Sequence, residues 1–372
     1  MLLAKKEKEM QQLEMLVNRL PAPTWNRLKV NHKVIRNLAI TGSCQPQVIM
    51  QGDICLKRMT TCCRGAEGGG CTMPAAIENM ATGMGSGLDV LPWEKLRLVA
   101  GSGTSKAWVN LKYSDDCQAA NQLEIIAKEG AEVTVIMNYI STANAGGTSA
   151  VRTKVLAAAG AKVHLVQIQL LGRDFRHLND VGCELAEAAN FDVLQLQLGG
   201  KELYNGVRTE LKGARSNFDA SIGYFGRRGQ NLDMNFVANH YGEHTTCTML
   251  SDGVLQERAC KTYRGTIDFK TGSSGSKGDE KENVLLLSDD VINQTVPLIL
   301  CAEEDVQGNH GANIGRLEDE LLFYLCSRGF TIKEAVDMMA KAKIEALCRN
   351  IQDEETVKLV EMYLEGVVTD AE

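Results

Sequence analysis

A repeat of about thirty residues is the feature that most constrains the fold of this chain. Three segments align without a gap: 121–133, 151–163 and 181–193. Val133, Val163 and Val193 hold the same place in each segment, thirty residues apart. A fourth copy ends at 217–220 with the Asn-Phe-Asp of the third, and a similar half-step follows at 231–234. Each coil of the repeat therefore holds two similar strand-and-turn halves.

The segments between the repeats have the composition of β-strands. They are rich in β-branched or alternating apolar residues, and they lie at 133–139, 163–171, 193–198, 222–225 and 232–238. Asn, Gly and Asp separate them, and these residues tolerate the left-handed backbone that turns require. A period near thirty with two strands per coil predicts a mainly β fold, a parallel β-solenoid whose stacked coils share one elongated core. The consensus of leucine-rich repeats and the paired periodicity of helical repeats are absent.

The repeats divide the chain into three predicted parts. Residues 1–115 form a helical and loop-rich lead-in, 116–316 the parallel β-solenoid, and 317–372 a C-terminal helical domain. Within the lead-in, residues 1–20 carry apolar side chains at helical spacing before Pro21-Ala22-Pro23, which predicts an N-terminal helix and its end.

Three helices are predicted after the solenoid. The first, 317–328, has acidic residues in its first turn and Gly329 just beyond its end. Thr331 to Glu334 has the pattern of a capping box that opens the second helix, and 354–366 is the third. Because the bare strand edges of a solenoid invite pairing with other chains, we expect its ends to be capped or to become interfaces.

Charge and cysteine content exclude several classes of partner and compartment. The net charge of −7 and the pI near 5.6 provide no general attraction to nucleic acid or to anionic membranes. The twelve cysteines are sparse, irregularly spaced and without a Cys-x-x-Cys pair, which is typical of reduced thiols in a cytoplasmic protein. No window has the apolar length of a signal peptide or a membrane span, so we expect a soluble protein.

A group of cysteines in the lead-in raises the question of a metal site. The group comprises Cys44, Cys55, Cys62, Cys63 and Cys71. Thiolates select zinc and iron–sulfur clusters, but structural sites usually present two ligands separated by two to four residues. The spacing here favours unpaired structural thiols over a metal site.

Other residues that could bind a ligand or react have ordinary structural interpretations. The glycine-rich segment 272–278 superficially resembles a phosphate-binding loop, but it lacks Gly directly before its lysine and a hydroxyl directly after it, which favours an exposed turn. His240 and His244 are four residues apart in strand-and-turn sequence, where that spacing does not by itself bring both side chains to one metal, so surface or packing roles are favoured over a metal site. Cys301, at the end of an apolar run, is interpreted as a small buried hydrophobe.

His310 has a more distinctive setting than the other histidines. It lies between a run of carboxylates and the small residues Gly311, Ala312 and Gly315, which let a partner's backbone come close, and an imidazole can serve as a metal ligand or a proton carrier. A structural hydrogen-bonding role remains open at this stage. The sequence shows no convincing Ser/His/Asp or Cys/His constellation, and no converging carboxylates of the kind a β-solenoid carbohydrate-active enzyme would carry.

Several motifs between Lys261 and Phe330 together resemble the SufB/SufD family, the scaffold subunits of the SUF iron–sulfur cluster assembly machinery. The motifs are Tyr263 to Phe269, Gly272 to Lys277, Asn283 to Ser288, Gly308 to Ala312, Leu322 to Leu325 and Ser327 to Gly329. A weaker match spans Leu20 to Asn26, and the resemblance covers most of the chain except roughly 40–110.

The resemblance implies a fold, partners and site residues. It implies a right-handed parallel β-helix flanked by helical regions, and a non-enzymatic scaffold without a tightly bound cofactor. By the same resemblance the β-helix pairs with a SufB-like subunit, and a transient iron–sulfur cluster forms at their interface. A SufC-like ABC ATPase is expected to dock on the C-terminal helices, around Phe323, Tyr324, Arg328, Gly329 and Phe330.

The resemblance is closest to the SufD side of the family. SufB-type chains carry a functional cysteine where the leucine-rich strand begins and an acidic residue on each side of the later histidine. Here Glu282 and Asn283 begin that strand, and Asn309 and Gly311 flank His310. His310 matches the SufD histidine implicated at the SufB–SufD interface, which makes it the candidate cluster-assembly and metal-binding residue.

Two alternatives to the SufD-like scaffold are retained. The chain could act as a self-sufficient homodimeric scaffold that binds the nascent cluster itself, with the lead-in cysteines as ligands. It could also be a β-solenoid carbohydrate-active enzyme.

Overall fold

The computed structural model describes residues 14–24, 26–59 and 75–369, and it contains the parallel β-solenoid that the repeat predicts. Two strands lie outside the two large sheets: β1 Met15–Val17 and β2 Lys33–Ile35. The first large sheet, sheet 1, contains β3 Gln47–Gln51, β6 Gly103–Lys112, β8 Ala131–Ile140, β10 Lys162–Leu170, β12 Asn190–Gln197, β14 Asn217–Gly226, β16 Thr246–Leu255, β18 Ser276–Leu286 and β20 Val306–Arg316.

The second large sheet and the helices complete the fold. Sheet 2 contains β4 Ile54–Met59, β5 Glu94–Ala100, β7 Cys117–Ala127, β9 Gly146–Ala157, β11 Asp174–Leu185, β13 Glu202–Leu211, β15 Asn231–His240, β17 Cys260–Phe269 and β19 Ile292–Cys301. The α-helices are α1 Ala75–Glu78, α2 Asp319–Ser327, α3 Ile332–Cys348 and α4 Glu354–Thr369, and short 3-10 helices lie at Asn26–Leu28 and Ser86–Leu88.

From β5 to β20, successive strands alternate between the two sheets, and each pairs in parallel with the strand of the same sheet one coil away. This alternation is the two-halves-per-coil organisation that the half-step of the repeat predicts. Parallel pairing begins at β5, so the solenoid starts at Glu94, before the boundary expected near residue 116. Its last strand ends at Arg316, and the C-terminal helices follow.

The register of the strands follows the repeat from the first segment to the second, and departs from it in both sheets between the second and the third. Val133 pairs with Val163, and the Asn-Phe-Asp of β12 pairs with that of β14, as the alignment indicates. Val193 pairs instead with Leu165, because the step from β10 to β12 is two residues shorter than thirty. A shift of two residues preserves the face on which each side chain lies, so the core tolerates the shorter coil.

The predicted N-terminal helix is wrong where the structure describes it, and residues 1–13 of that prediction lie outside the described residues. Met15 to Val17 form β1, which pairs antiparallel with β2. Met15 and Val17 are buried and Leu16 is exposed, the period of two that a strand requires. The pairing partner lies almost twenty residues away, so the local periodicity alone could not reveal it.

Three apolar clusters hold these layers together. The largest fills the interior of the solenoid between the two sheets. A second lies between the outer face of sheet 1 and the helices, where Ile168 and Leu196 pack with Ile344 of α3 and Val360 of α4. A third joins the N-terminal segment to the outer face of sheet 2. The helices therefore cover the side of the solenoid.

The two ends of the solenoid differ in how the edges of their sheets are paired. At the N-terminal end, β3 pairs antiparallel with β6 and β4 with β5, so both sheets are closed by a reversed strand. At the C-terminal end, β19 and β20 are the last strands of their sheets. Among the described residues no strand pairs with their outer edges, and this open end contains the candidate site.

Candidate functional site at the open end of the solenoid

His310 lies in β20, on the last coil. It is exposed and pairs in register with Glu280 of β18. In-register residues of parallel strands project from the same face, and Glu280 projects into the solenoid interior. A Cβ on Gly265 of the opposite sheet would lie 2.1 Å from Glu280 Oε1, which shows how far the glutamate reaches across. His310 therefore faces the interior column, the stack of inward-facing side chains between the two sheets, and no further coil covers it among the described residues.

A cluster of buried charges lies one coil below His310. Lys261 of β17 and Glu282 of β18 form an ion pair whose side chains are 0% and 1% exposed. Thr295 of β19 accepts a hydrogen bond from Lys261 Nζ at 3.1 Å and donates one to Glu282 Oε2 at 2.5 Å. The hydroxyl of Tyr224 lies 3.4 Å from Glu282 Oε1. The end of the core is thus polar and internally paired.

Glu280 is the least satisfied member of this cluster. Its side chain is buried, and Oε2 has no hydrogen-bond partner in the described part of the chain. Burial, together with the nearby Glu282, raises the pKa of Glu280 to about 8, while Lys261 opposes the rise. Burial also lowers the pKa of Lys261, and its contacts with Glu282 oppose that change. The raised pKa of the glutamate and the lowered pKa of the lysine have the same cause, because burial disfavours the charged form of each side chain.

The expected ATPase-docking residues lie together on the surface at α2. Phe323 is 76% exposed, Tyr324 and Phe330 are also exposed, and none of the α2 residues is buried. The Arg328 guanidinium lies 5.1 Å from the centre of the Tyr324 ring. An aromatic patch of this kind, left uncovered by the described residues, is typical of an interaction surface.

Gly329 and Thr331 shape this surface. Gly329 has φ of 98°, and its N–H donates to the Cys326 carbonyl while the N–H of Phe330 donates to the Leu325 carbonyl, which ends α2. Thr331 and Glu334 form the predicted capping box at the start of α3. The local motifs read from the sequence therefore determine where α2 ends and where α3 begins.

The lead-in cysteines are only partly described. The Cys44 thiol is buried, donates to the Lys112 carbonyl at 3.2 Å, and has its pKa raised to about 11, mainly by burial. Cys55 is exposed, while Cys62, Cys63 and Cys71 lie outside the described residues. Within the described ranges no group of three or more His, Cys, Asp or Glu side chains is arranged to hold a metal ion. In the same ranges, no helix combines the length and hydrophobicity needed to cross a membrane.

Two structural interpretations from the sequence have different outcomes. His240 is buried, with Nδ1 2.7 Å from Thr245 Oγ1 and Nε2 3.3 Å from Cys247 Sγ, and burial lowers its pKa to about 4, which confirms a packing role. Cys301 was expected to be buried but is exposed. It ends β19 on the last coil, so an apolar run alone did not secure its burial.

Sequence reasoning missed Lys261 and Glu280 as site residues. Charged side chains in strands ordinarily face water, and neither residue belongs to a metal or catalytic motif. The feature of the sequence that could have identified Lys261 is the alternation of β17. Lys261 and Tyr263 lie on the same face of the strand as the apolar Ile267 and Phe269, and they are buried with them. That parity assigns the lysine to the interior.

The stacked coils, the helices on one side and the two sheet edges left unpaired among the described residues define a parallel β-solenoid with one open end. The chain belongs to the family described as SUF system FeS cluster assembly, SufBD core domain, whose model matches residues 111–343, more than half of the chain. Within that family it resembles the SufD members.

Named relatives support that placement. The chain is 26% identical over 225 residues to the iron-sulfur cluster assembly protein SufD of Bacillus subtilis, covering 60% of this chain and 51% of that protein. It is 29% identical over 231 residues to SufD of Escherichia coli, covering 61% and 53%. A SufBD family protein of Staphylococcus epidermidis is 25% identical over 252 residues, covering 66% and 53%. The chain spans about half the length of these relatives.

Proposed function

We propose that this chain is a non-enzymatic scaffold subunit of iron–sulfur cluster assembly that pairs with a SufB-like subunit through its open end. The observation that carries the proposal is the exposed His310 on an uncapped last coil, between two strand edges that can extend into a partner. Family membership favours this role over the carbohydrate-active enzyme.

The proposal assigns the cluster chemistry to both subunits. Where the resemblance expects a cysteine in SufB-type chains, this chain has Glu282, which is buried in an ion pair with Lys261. The thiols would therefore come from the partner, and His310 would contribute an imidazole as a ligand or a proton carrier to the cluster that is being built there. The cluster is cargo that leaves the interface.

Co-expression with the host's SufB and SufC tests the role of His310. Wild type and His310→Ala are compared by size-exclusion chromatography with light scattering and by visible absorbance after anaerobic reconstitution. We expect both to assemble and only the variant to lose cluster. Gln307→Ala is the matched control, because Gln307 is exposed on the same strand but has the opposite parity. Equal cluster yield in all three proteins would contradict a chemical role for His310.

The open end is tested separately from its histidine. Ile314 is 49% exposed on the last coil, with the same parity as His310, so Ile314→Asp places a charge where the partner's core should continue. Ile49, similarly exposed on β3 at the closed end, provides the control Ile49→Asp. Loss of SufB binding in the first variant only is expected, and retention of binding in both would refute pairing at this end.

We also propose that the aromatic patch formed by Phe323, Tyr324, Arg328 and Phe330 docks the SufC-like ATPase. Phe323→Ser should abolish co-purification of the ATPase with no change in thermal stability, since the side chain is mostly in water already. Val90→Ser, at an equally exposed apolar position on the other side of the chain, should have no effect. Equal retention of the ATPase by both variants would rule out this docking surface.

The self-sufficient homodimer is the second candidate, because the same open edges can pair with a second copy of the chain. It predicts that the chain expressed alone is a dimer by light scattering and takes up a cluster. A monomeric, colourless chain that gains cluster only with SufB would exclude it.

A further inference from the structure

A cavity of about 410 Å³ lies on the side of the solenoid, away from the open end and from α2. Its walls are turns that follow β8, β10, β12 and β14, and one turn of α4 closes it. This volume is within the range of small-molecule sites. The cavity belongs to neither surface discussed above.

The cavity is strongly basic although the chain as a whole is acidic. Arg173, Lys201, Arg227 and Arg228 line it, against Asp174 as the acidic residue of its wall, in a protein of net charge −7. The cations come from successive coils, so the stacking of the turns brings them to one place. Glu257 lies nearby and accepts a hydrogen bond from the Arg228 backbone N–H at 3.2 Å. A concave site in which one sign of charge predominates concentrates the opposite ion.

Arg227 is the central observation because it is a buried cation without a bonded carboxylate. It is 7% exposed, and its guanidinium lies 5.4 Å from the centre of the Phe225 ring. Burial lowers its pKa, while Glu257 and the hydrogen-bonded hydroxyl of Tyr363 oppose this. Nε has no hydrogen-bond partner, and the bonded partner of the guanidinium within the described ranges is the neutral Tyr363 hydroxyl rather than a carboxylate.

The other buried cations of the described chain are satisfied in a different way. Arg97, Arg152, Lys261 and Arg264 each pair with a buried carboxylate. Lys154 donates to two backbone carbonyls, at 3.0 and 2.8 Å. A buried charge is costly unless it is paired, so the exception at Arg227 indicates a missing anion.

The surroundings of Arg227 are preorganised. Its backbone N–H donates to Gln230 Oε1 at 2.9 Å, and Gln230 Nε2 donates to the Gly200 carbonyl at 2.5 Å. The Tyr363 hydroxyl donates to the Leu198 carbonyl at 3.3 Å. Gly199 makes room for that hydroxyl, since a Cβ there would lie 2.7 Å from it. Little rearrangement is needed for an anion to bind.

We propose that this cavity binds a phosphate-bearing small molecule, with the phosphate held by Arg227 and by the side chains of Arg173 and Lys201. Guanidinium groups match phosphate oxygens in geometry and charge, and cations converging from several turns suit an anion with more than one negative charge. The inference is independent of the scaffold function proposed above.

Isothermal titration calorimetry of the full chain with inorganic pyrophosphate, at constant ionic strength, tests the proposal. We expect saturable binding, and Arg173→Gln or Lys201→Gln should each raise Kd by roughly tenfold or more, as expected for loss of one charge-assisted contact. Lys128→Gln, at an exposed lysine in another turn, should leave Kd unchanged.

Two results would overturn the proposal: absence of saturable binding, or the same loss of affinity in the cavity variants and in Lys128→Gln, which would show only non-specific charge attraction. Thermal unfolding of each variant confirms that it is folded; both substituted cavity side chains are exposed, so folding should be unaffected. His310→Ala and Phe323→Ser should bind pyrophosphate like wild type, which separates this site from the scaffold surfaces.

Discussion

Removal of the buried lysine beneath the open end should destabilise the fold in a pH-dependent way. Lys261→Met leaves Glu282 in the interior without its cation, and Glu280 close by. Breaking a buried ion pair by deleting one partner costs about 3–5 kcal/mol. Because Lys261 holds the pKa of Glu280 down, its loss should move that pKa further above about 8. The Glu280 carboxyl then favours its neutral form more strongly.

The cost should therefore be larger at pH 8 than at pH 5, because a carboxyl whose folded pKa lies above its unfolded value loses stability as pH rises between the two. Urea denaturation of the isolated chain, followed by circular dichroism at both pH values, measures the free energy of unfolding. The double variant Lys261→Met with Glu282→Gln should recover part of the loss, since no unpaired carboxylate remains at that position.

Arg36→Met is the matched control, since Arg36 and Glu14 form an ion pair with side chains that are 67% and 60% exposed. Exposed pairs of this kind contribute about 1 kcal/mol or less. A cost for Lys261→Met below about 1 kcal/mol at pH 8, or an equal cost at pH 5 and pH 8, would refute the reasoning.

Three further substitutions test the interior and the docking surface. Glu280→Gln should be as stable as wild type near pH 4.5 and more stable by up to about 4 kcal/mol at pH 8. The reason is that a buried carboxyl whose folded pKa is raised to about 8 destabilises the wild-type fold as pH rises through that range. A difference in urea midpoint between the two proteins that does not change with pH would contradict this. Gly253→Ala should cost about 2–3 kcal/mol in urea denaturation, since its Cβ would lie 2.0 Å from the buried Tyr224 ring, and a neutral effect would show that the ring can move. Gly329→Ala should cost about 1 kcal/mol locally, because φ is 98°, and amide hydrogen exchange in the last turn of α2 should accelerate; unchanged exchange would contradict the strain.

Local patterns determined much of the architecture. The Asn-Phe-Asp repeat pairs in register, and the capping box at Thr331 and the helix end at Gly329 form as predicted. These features are readable because each depends on residues that are close in sequence or repeated at a constant step. Solenoid coils contact their neighbours, so a sequence period becomes a spatial stacking directly.

Features that depend on pairing partners were less accessible. The spacing of apolar residues in the segment that forms β1 predicted a helix, and only its pairing with β2 shows that it is a strand. Cys301 was predicted to be a core residue because it ends an apolar run, but on the last coil it is exposed. Periodicity describes which side of an element is apolar. It does not say whether another layer covers that side.

The sequence by itself determined a parallel β-solenoid with helices at its C-terminal end and placed His310 and the aromatic patch near that end. Only the tertiary structure decided that His310 lies in the interior column above Glu280, that Lys261 is buried in an ion pair, and that cations from separate coils meet around Arg227. The physical reason is register. The number of residues per coil varies from 26, between Asn179 and Asn205, to 32, between Cys260 and Ile292. Which side chains stack on one another therefore depends on the length of every turn that connects the strands.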